Sequence, residues 1–207
     1  MDKEPSAITA SAIENQIQKL EPFIGHTPLY PLHNILPNPR VNLYAKLEWQ
    51  QLGGSVKARP AFQIIKDAIR AGKLDQDKML LDASSGNTGI AYAAVARSLG
   101  LHVTLCMPEN ASEERKLFLK ALGSHIVYTS AQGSTDEAQE KAVAMTGAYP
   151  DYYYYADQYG NASNWQAHYY TTASEIIEQT NDQITHLATG LGTTGTFIGT
   201  GRGLRAH

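Results

Sequence analysis

Apolar positions in this chain fall into short blocks with two kinds of spacing. Ile13, Ile17 and Leu20 recur at threes and fours behind Ser11-Ala12-Ile13-Glu14, which has the form of a capping box. This predicts a helix from about Ser11 to Leu20 after a loose N-terminus. Pro22, Gly25, Pro28, Pro31, Pro37 and Pro39 then interrupt the chain so often that only short strands fit, and Val41 to Leu47 reads as one. Phe62, Ile65 and Ile69 define the apolar face of a helix that Ser55 can cap, that tolerates Pro60 in its first turns, and that runs to about Ala71 before Gly72.

Lys78 to Asp82 is a short strand, followed by a small-residue helix from Ile90 to about Leu99. Leu101 to Met107 is a strand closed by Pro108. Asn110 to Leu122 reads as a helix with Leu117, Ala121 and Leu122 inward, and His125 to Thr129 as a strand. A second capping box, Ser134-Thr135-Asp136-Glu137, precedes Ala138, Ala142 and Met145 on one helix face. The run Tyr152 to Tyr155 is strand-prone. Ser163-Asn164-Trp165-Gln166 opens a helical stretch to about Gln179. Ile184 to Thr189 reads as a strand, Gly190 to Gly195 as a loop, and Thr196 to Arg205 as a helix. Strands thus alternate with helices, and the strands are continuously apolar. That is the signature of an α/β fold with a mostly parallel sheet flanked by helices.

Composition narrows the function. The chain has 207 residues, enough for one domain or two small lobes, with 43% hydrophobic and 18% charged residues. Its net charge of -3, without blocks of like charge, offers no footprint for nucleic acid or an anionic membrane, and the tyrosine run has no basic residues around it. The polar start and the shortness of every apolar stretch predict no signal peptide and no membrane span, so the expectation is a cytoplasmic protein. Cys106 alone rules out an internal disulfide and reads as a buried strand residue. The seven histidines are scattered, without zinc spacing, and read as structural or exposed, so no metal site is expected.

Three stretches carry candidate chemistry. Gly53-Gly54-Ser55-Val56-Lys57 puts an amine at the mouth of a helix, where the positive dipole end disfavours the ammonium. Such a site, or burial, frees a lysine for Schiff-base chemistry. Ser84-Ser85-Gly86-Asn87-Thr88-Gly89 lies between strand and helix and presents hydroxyls, an amide and free N–H groups to an anion such as a carboxylate; a plain helix cap is the bland reading. Gly190-Leu191-Gly192-Thr193-Thr194-Gly195-Thr196 follows a strand and opens a helix, which suits a single phosphate. It also fits G-x-G-x-x-G, a dinucleotide pattern that would leave Lys57 without a role. An imine-forming lysine, a carboxylate seat and a phosphate cradle together suggest pyridoxal 5'-phosphate.

At these residues the chain resembles the cysteine synthase family, from Gly25 to Leu204. Gly54-Ser55-Val56-Lys57 is similar to the cofactor-lysine motif, and Ser84 to Gly89 to the substrate loop. Asp157-Gln158 and His168-Tyr169-Tyr170-Thr171-Thr172 also resemble the family, while Gly192 to Thr196 looks most like the cysteine synthase B branch. The resemblance implies a two-lobed, fold-type II pyridoxal-phosphate enzyme with a tryptophan synthase β-like fold. Residues 53–156 would form the smaller closing lobe, and residues 1–52 and 157–207 parts of the larger one. It implies β-replacement on an O-activated serine, such as O-acetylserine, by sulfide or another sulfur donor, in a homodimer. Lys57 would hold the cofactor and take the Cα proton, and Asn87 would bond the ring hydroxyl oxygen. Gly192, Thr193, Thr194, Gly195 and Thr196 would hold the phosphate, and Ser84, Ser85, Thr88 and Gln158 the substrate carboxylate.

Gln51-Leu52 and Ala58 stand where the family often has Asn-Pro and Asp. A chain ending at His207 would leave sheet edges and apolar faces uncovered, so a piece of a longer protein is expected. The related alternatives are a cystathionine-forming or serine-dehydrating enzyme; a non-catalytic paralogue or an inert fragment is the alternative of a different class.

Overall fold

The computed structural model describes residues 10–33, 35–36 and 38–207. The loose terminus expected before Ser11, the capping side chain of Ser11 and the break at Pro37 lie outside the described residues.

Four parallel strands form the centre: β3 (Met79–Ala83), β4 (Val103–Pro108), β5 (His125–Thr129) and β6 (Tyr153–Tyr155), in the order β5-β4-β3-β6. Leu81 pairs with Thr104 on one side and Tyr155 on the other. Alternation along each strand divides the side chains between two faces. Leu80, Val103, Leu105 and Met107 face one core with α2 (Ala58–Arg70) and α3 (Asn87–Ser98). Leu81, Ala83 and Cys106 face the other, against Ala138 and Ala142 of α5 (Ser134–Ala148). Burial on both faces is why β3 and β4 read as unbroken apolar runs. Cys106 is fully buried, which pushes its thiol up to about 11 and leaves it an inert packing group.

The proline-rich segment yields only three-residue strands. β1 (Leu29–Pro31) and β2 (Tyr44–Lys46) pair antiparallel with Leu29 opposite Lys46. The strand expected over Val41 to Leu47 is therefore shorter at both ends. α1 (Ala10–Leu20) tucks Ile13 and Ile17 into the core as their spacing requires.

Several local expectations are corrected. The helix expected over Asn110 to Leu122 begins later, as α4 (Glu113–Ala121), and buries Leu119 rather than Leu117 or Ala121. Lys116 shares that inward face because its ammonium reaches Glu109 O and the Glu113 carboxylate. Glu137 does not close a box with Ser134; its carboxylate accepts from the Ser130 N–H and hydroxyl instead. The helix after β6 starts one residue before Ser163, as α6 (Ala162–Ala167), capped by Asn161, which accepts from the Ser163 N–H at 3.0 Å. It continues through a π-turn, His168–Thr172, into α7 (Ala173–Gln179). Ile184 to Thr189 is not a strand: it finds no ladder partner among the described residues and stays largely exposed. A strand exists only by pairing, whatever the propensity of its residues. α8 (Gly195–Ala206) follows the glycine-threonine loop as expected.

Candidate functional site

Lys57 is the residue before α2, in helical conformation. Ser55 does not cap the helix itself; its hydroxyl accepts the Lys57 N–H at 3.3 Å, and Gly53 and Gly54 supply the positive φ values that turn the chain. Gly53 also lies so close to the Ala91 backbone on α3 that a Cβ would only just fit. This turn delivers Lys57 into a cleft of about 600 Å³.

Two lysines line that cleft, and the structure separates their roles. Lys46 Nζ is bound on all sides, by Thr27 O at 2.6 Å, Thr27 Oγ1 at 2.9 Å and Glu175 Oε2 at 2.6 Å. Among the described residues Lys57 has no hydrogen-bond or ion-pair partner for its amine, and burial alone holds its pKa below the ordinary lysine value. Lys57 is thus the amine available as a nucleophile.

Next to it lies a cluster that sequence reasoning missed. Arg59 is 1% exposed, and every nitrogen of its guanidinium is engaged. Nε and Nη2 bond the Glu48 carboxylate at 2.8 Å each, and Nη1 and Nη2 bond Glu175 at 2.6 and 2.8 Å. Thr27 and Thr171 supply the remaining acceptors. Burial opposes both charges. The Arg59 hydrogen bonds and charge nevertheless bring Glu175 down to about 2, and the two carboxylates raise the arginine. Gln51, in place of the family's Asn-Pro, joins this cluster: it accepts the Gly25 N–H and donates to Glu48.

The glycine-threonine loop closes the other side of the cleft. Gly192 and Thr196 line it directly. Thr193 accepts from Asn164 Nδ2 at 3.0 Å, and a Cβ on Gly195 would collide with the Asn164 side chain. Thr194 sits at φ 64°, a left-handed conformation that is a rare outlier for a β-branched residue and a mark of ligand-holding turns. Ile198 N–H bonds Thr194 O at 2.9 Å, so the N–H groups of Gly195, Thr196 and Phe197 precede the helical ladder and suit an anion. Thr200, one turn further along α8, also lines the cleft with a buried hydroxyl that has no partner among the described residues. An unpaired amine, a strained turn of free N–H groups and an orphaned hydroxyl fit a group that carries both an aldehyde and a phosphate.

The expected carboxylate seat does not line this cleft. Ser84 is occupied in part as a local cap, accepting the N–H groups of Gly86 and Gly89 at 3.3 and 3.1 Å. Thr88 and Gln158 are bonded to each other. Asn87 is exposed and Ser85 half-buried. The two halves are nevertheless joined. Asp82, pushed up to about 7 by burial, accepts the Gln158 N–H at 3.3 Å. Gln158 O accepts from the same Asn164 amide that holds Thr193.

The chain also resembles known proteins over most of its length. The family described as "Pyridoxal-phosphate dependent enzyme" matches residues 20–207. The cysteine synthase of Aquifex aeolicus is 45% identical over 188 residues, which are 89% of this chain and 58% of that protein. The cysteine synthase B of Salmonella typhimurium is 38% identical, over 90% of this chain and 61% of its own length. The crystal structure of a cysteine synthase from Entamoeba histolytica superposes with a TM-score of 0.85 at 32% identity, covering 100% of this chain and 60% of that one. The chain therefore spans about 60% of the length of the relatives it matches. With a family model matched over residues 20–207 and a cleft lined by an unpaired lysine, the chain belongs to the pyridoxal-phosphate-dependent enzymes.

Proposed function

We propose that this protein makes L-cysteine from an O-activated serine, with O-acetylserine the first candidate, and sulfide or another sulfur donor. The observation that carries the reading is that the unpaired Lys57 amine and the loop residues Gly192 and Thr196 line one cleft. Pyridoxal phosphate, when bound, supplies an electron sink for negative charge at the substrate Cα.

The chain's own residues do the rest. Lys57, its ammonium form disfavoured by burial, would hold the cofactor and would carry the proton taken from the substrate Cα. Gly192 to Thr196 and the start of α8 would hold the phosphate, and Asn87 would take the ring hydroxyl oxygen. Ser84, Ser85, Thr88 and Gln158 orient the substrate carboxylate, with several hydrogen bonds of about 1.5–3 kcal/mol each fixing a small amino acid. We read residues 53–156 as the closing lobe, because the whole parallel sheet lies within them. The remaining described residues then belong to the larger lobe. A homodimer fits the exposed Tyr170, Leu191 and Phe197, and light scattering tests it. No described helix is long and apolar enough to cross a membrane, and a cytoplasmic enzyme is the reading we adopt.

The test is chemical. Purified protein mixed with pyridoxal phosphate should absorb in the visible, and borohydride should fix the label on Lys57 and not on Lys46. O-acetylserine with sulfide should then give cysteine faster than serine with homocysteine gives cystathionine. Label on another lysine, or none, refutes the assignment.

A further inference from the structure

His168 poses a question of proton direction. The residue is 1% exposed and lies in the π-turn between α6 and α7. Its Nδ1 is 2.9 Å from Thr172 Oγ1 and its Nε2 is 3.2 Å from Thr196 Oγ1. Packing fixes the ring's position, since a Cβ on Gly199 of α8 would collide with Trp165 O and His168 Cβ. Burial, with the charge of Arg59, lowers the imidazole pKa to about 3. At neutral pH the ring therefore carries one proton, with one nitrogen donating and the other accepting.

Two arrangements satisfy these distances. With the proton on Nδ1, Thr172 accepts and Thr196 must spend its own proton on Nε2. Thr196 then shows the cleft only lone pairs. With the proton on Nε2, Thr172 donates to Nδ1 and Nε2 donates to Thr196, whose hydroxyl proton is free to turn outward. A phosphate ester oxygen accepts hydrogen bonds and, as the dianion, donates none. Only the second arrangement makes Thr196 useful to it.

We infer that His168 is a positioning residue for the anion cradle: as the Nε2–H tautomer it relays a hydrogen bond from Thr172 to Thr196 and so makes the Thr196 hydroxyl a donor to the phosphate. This rests on reading the cleft as a phosphate site. Thr172 and Thr196 both line that cleft, which places the relay in its wall.

The purified protein is titrated with pyridoxal phosphate and with pyridoxal, which lacks the phosphate. His168→Leu should weaken the phosphorylated ligand about tenfold, the loss of one hydrogen bond to a charged group, while pyridoxal changes by less than about twofold. His168→Gln, whose amide nitrogen falls near Nε2, should restore most of the loss. In a Thr196→Val background His168→Leu should add little, because the hydroxyl it orients is already gone. If the leucine variant does not fold, His168→Asn, whose amide falls short of Thr196, takes its place. Nitrogen-15 spectra of the phosphate-bound protein should show the Nε2–H form. Equal losses for both ligands, full additivity with Thr196→Val, or an Nδ1–H ring overturn the relay. A wild-type protein that binds no pyridoxal phosphate at all overturns the parent reading instead.

Discussion

The Thr88 hydroxyl donates to Gln158 Oε1 at 2.8 Å, across 70 residues of chain. The bond ties the first turn of α3 to the segment after β6, and both ends belong to the proposed carboxylate seat. Thr88→Val and Gln158→Leu should each weaken O-acetylserine binding in a spectral titration of the cofactor-loaded protein. The double variant should lose less than the sum of the two. Additive losses would mean that the two residues act independently.

The Arg59 cluster sets stability against acid. Glu175 is held at about 2 against an ordinary 4.5, so its contribution is fully present above about 4.5 and drains away as the pH falls toward 2. Urea midpoints measured between pH 7 and 3 should fall accordingly. Glu175→Gln should lower the midpoint at neutral pH and flatten the acid limb. Arg59→Met strips the half-buried Glu48 of its ion-pair partner and leaves Glu175 only Lys46, and should cost about 3 kcal/mol.

Gly195→Ala tests the loop by shape alone. The added methyl meets the Asn164 side chain, the group that also holds Thr193. Overpacking of this kind costs about 1–3 kcal/mol, and the displaced loop should retain pyridoxal phosphate poorly through gel filtration. Retention equal to wild type would show that the cradle lies elsewhere.

Thr200→Val should have the opposite sign. It replaces a buried hydroxyl without a partner among the described residues by a methyl of similar size. The ligand-free protein should melt higher, by an amount equivalent to about 1 kcal/mol. A lower melting point would show that the hydroxyl is satisfied in solution.

What could be read from the chain was what is local. The turn glycines around Lys57, the hydroxyl-rich loop behind β3 and the threonines opening α8 are contiguous in sequence, and the helices after them formed where expected. The Arg59 cluster was invisible because its partners lie up to 116 residues away. One signal was present: Arg59 stands three residues before Phe62, on the apolar face of α2, where a charge requires a buried counter-charge. Asn164 and His168 gave no comparable hint, since their roles depend on where α8 packs. The capping details failed for another reason: Glu137 had two acceptable donors, and tertiary geometry chose Ser130 over Ser134. Ile184 to Thr189 had strand composition but no strand beside it.

Arg59 has one more implication. Its four partners, Thr27, Glu48, Thr171 and Glu175, come from three stretches, and the last two are translated long after the lysine. Until they arrive, the segment around Lys57 is solvated and its amine is as basic as any other. The lowered basicity of this lysine is thus acquired at assembly, and an excised peptide bearing the same motif should hold pyridoxal phosphate no better than any other lysine peptide.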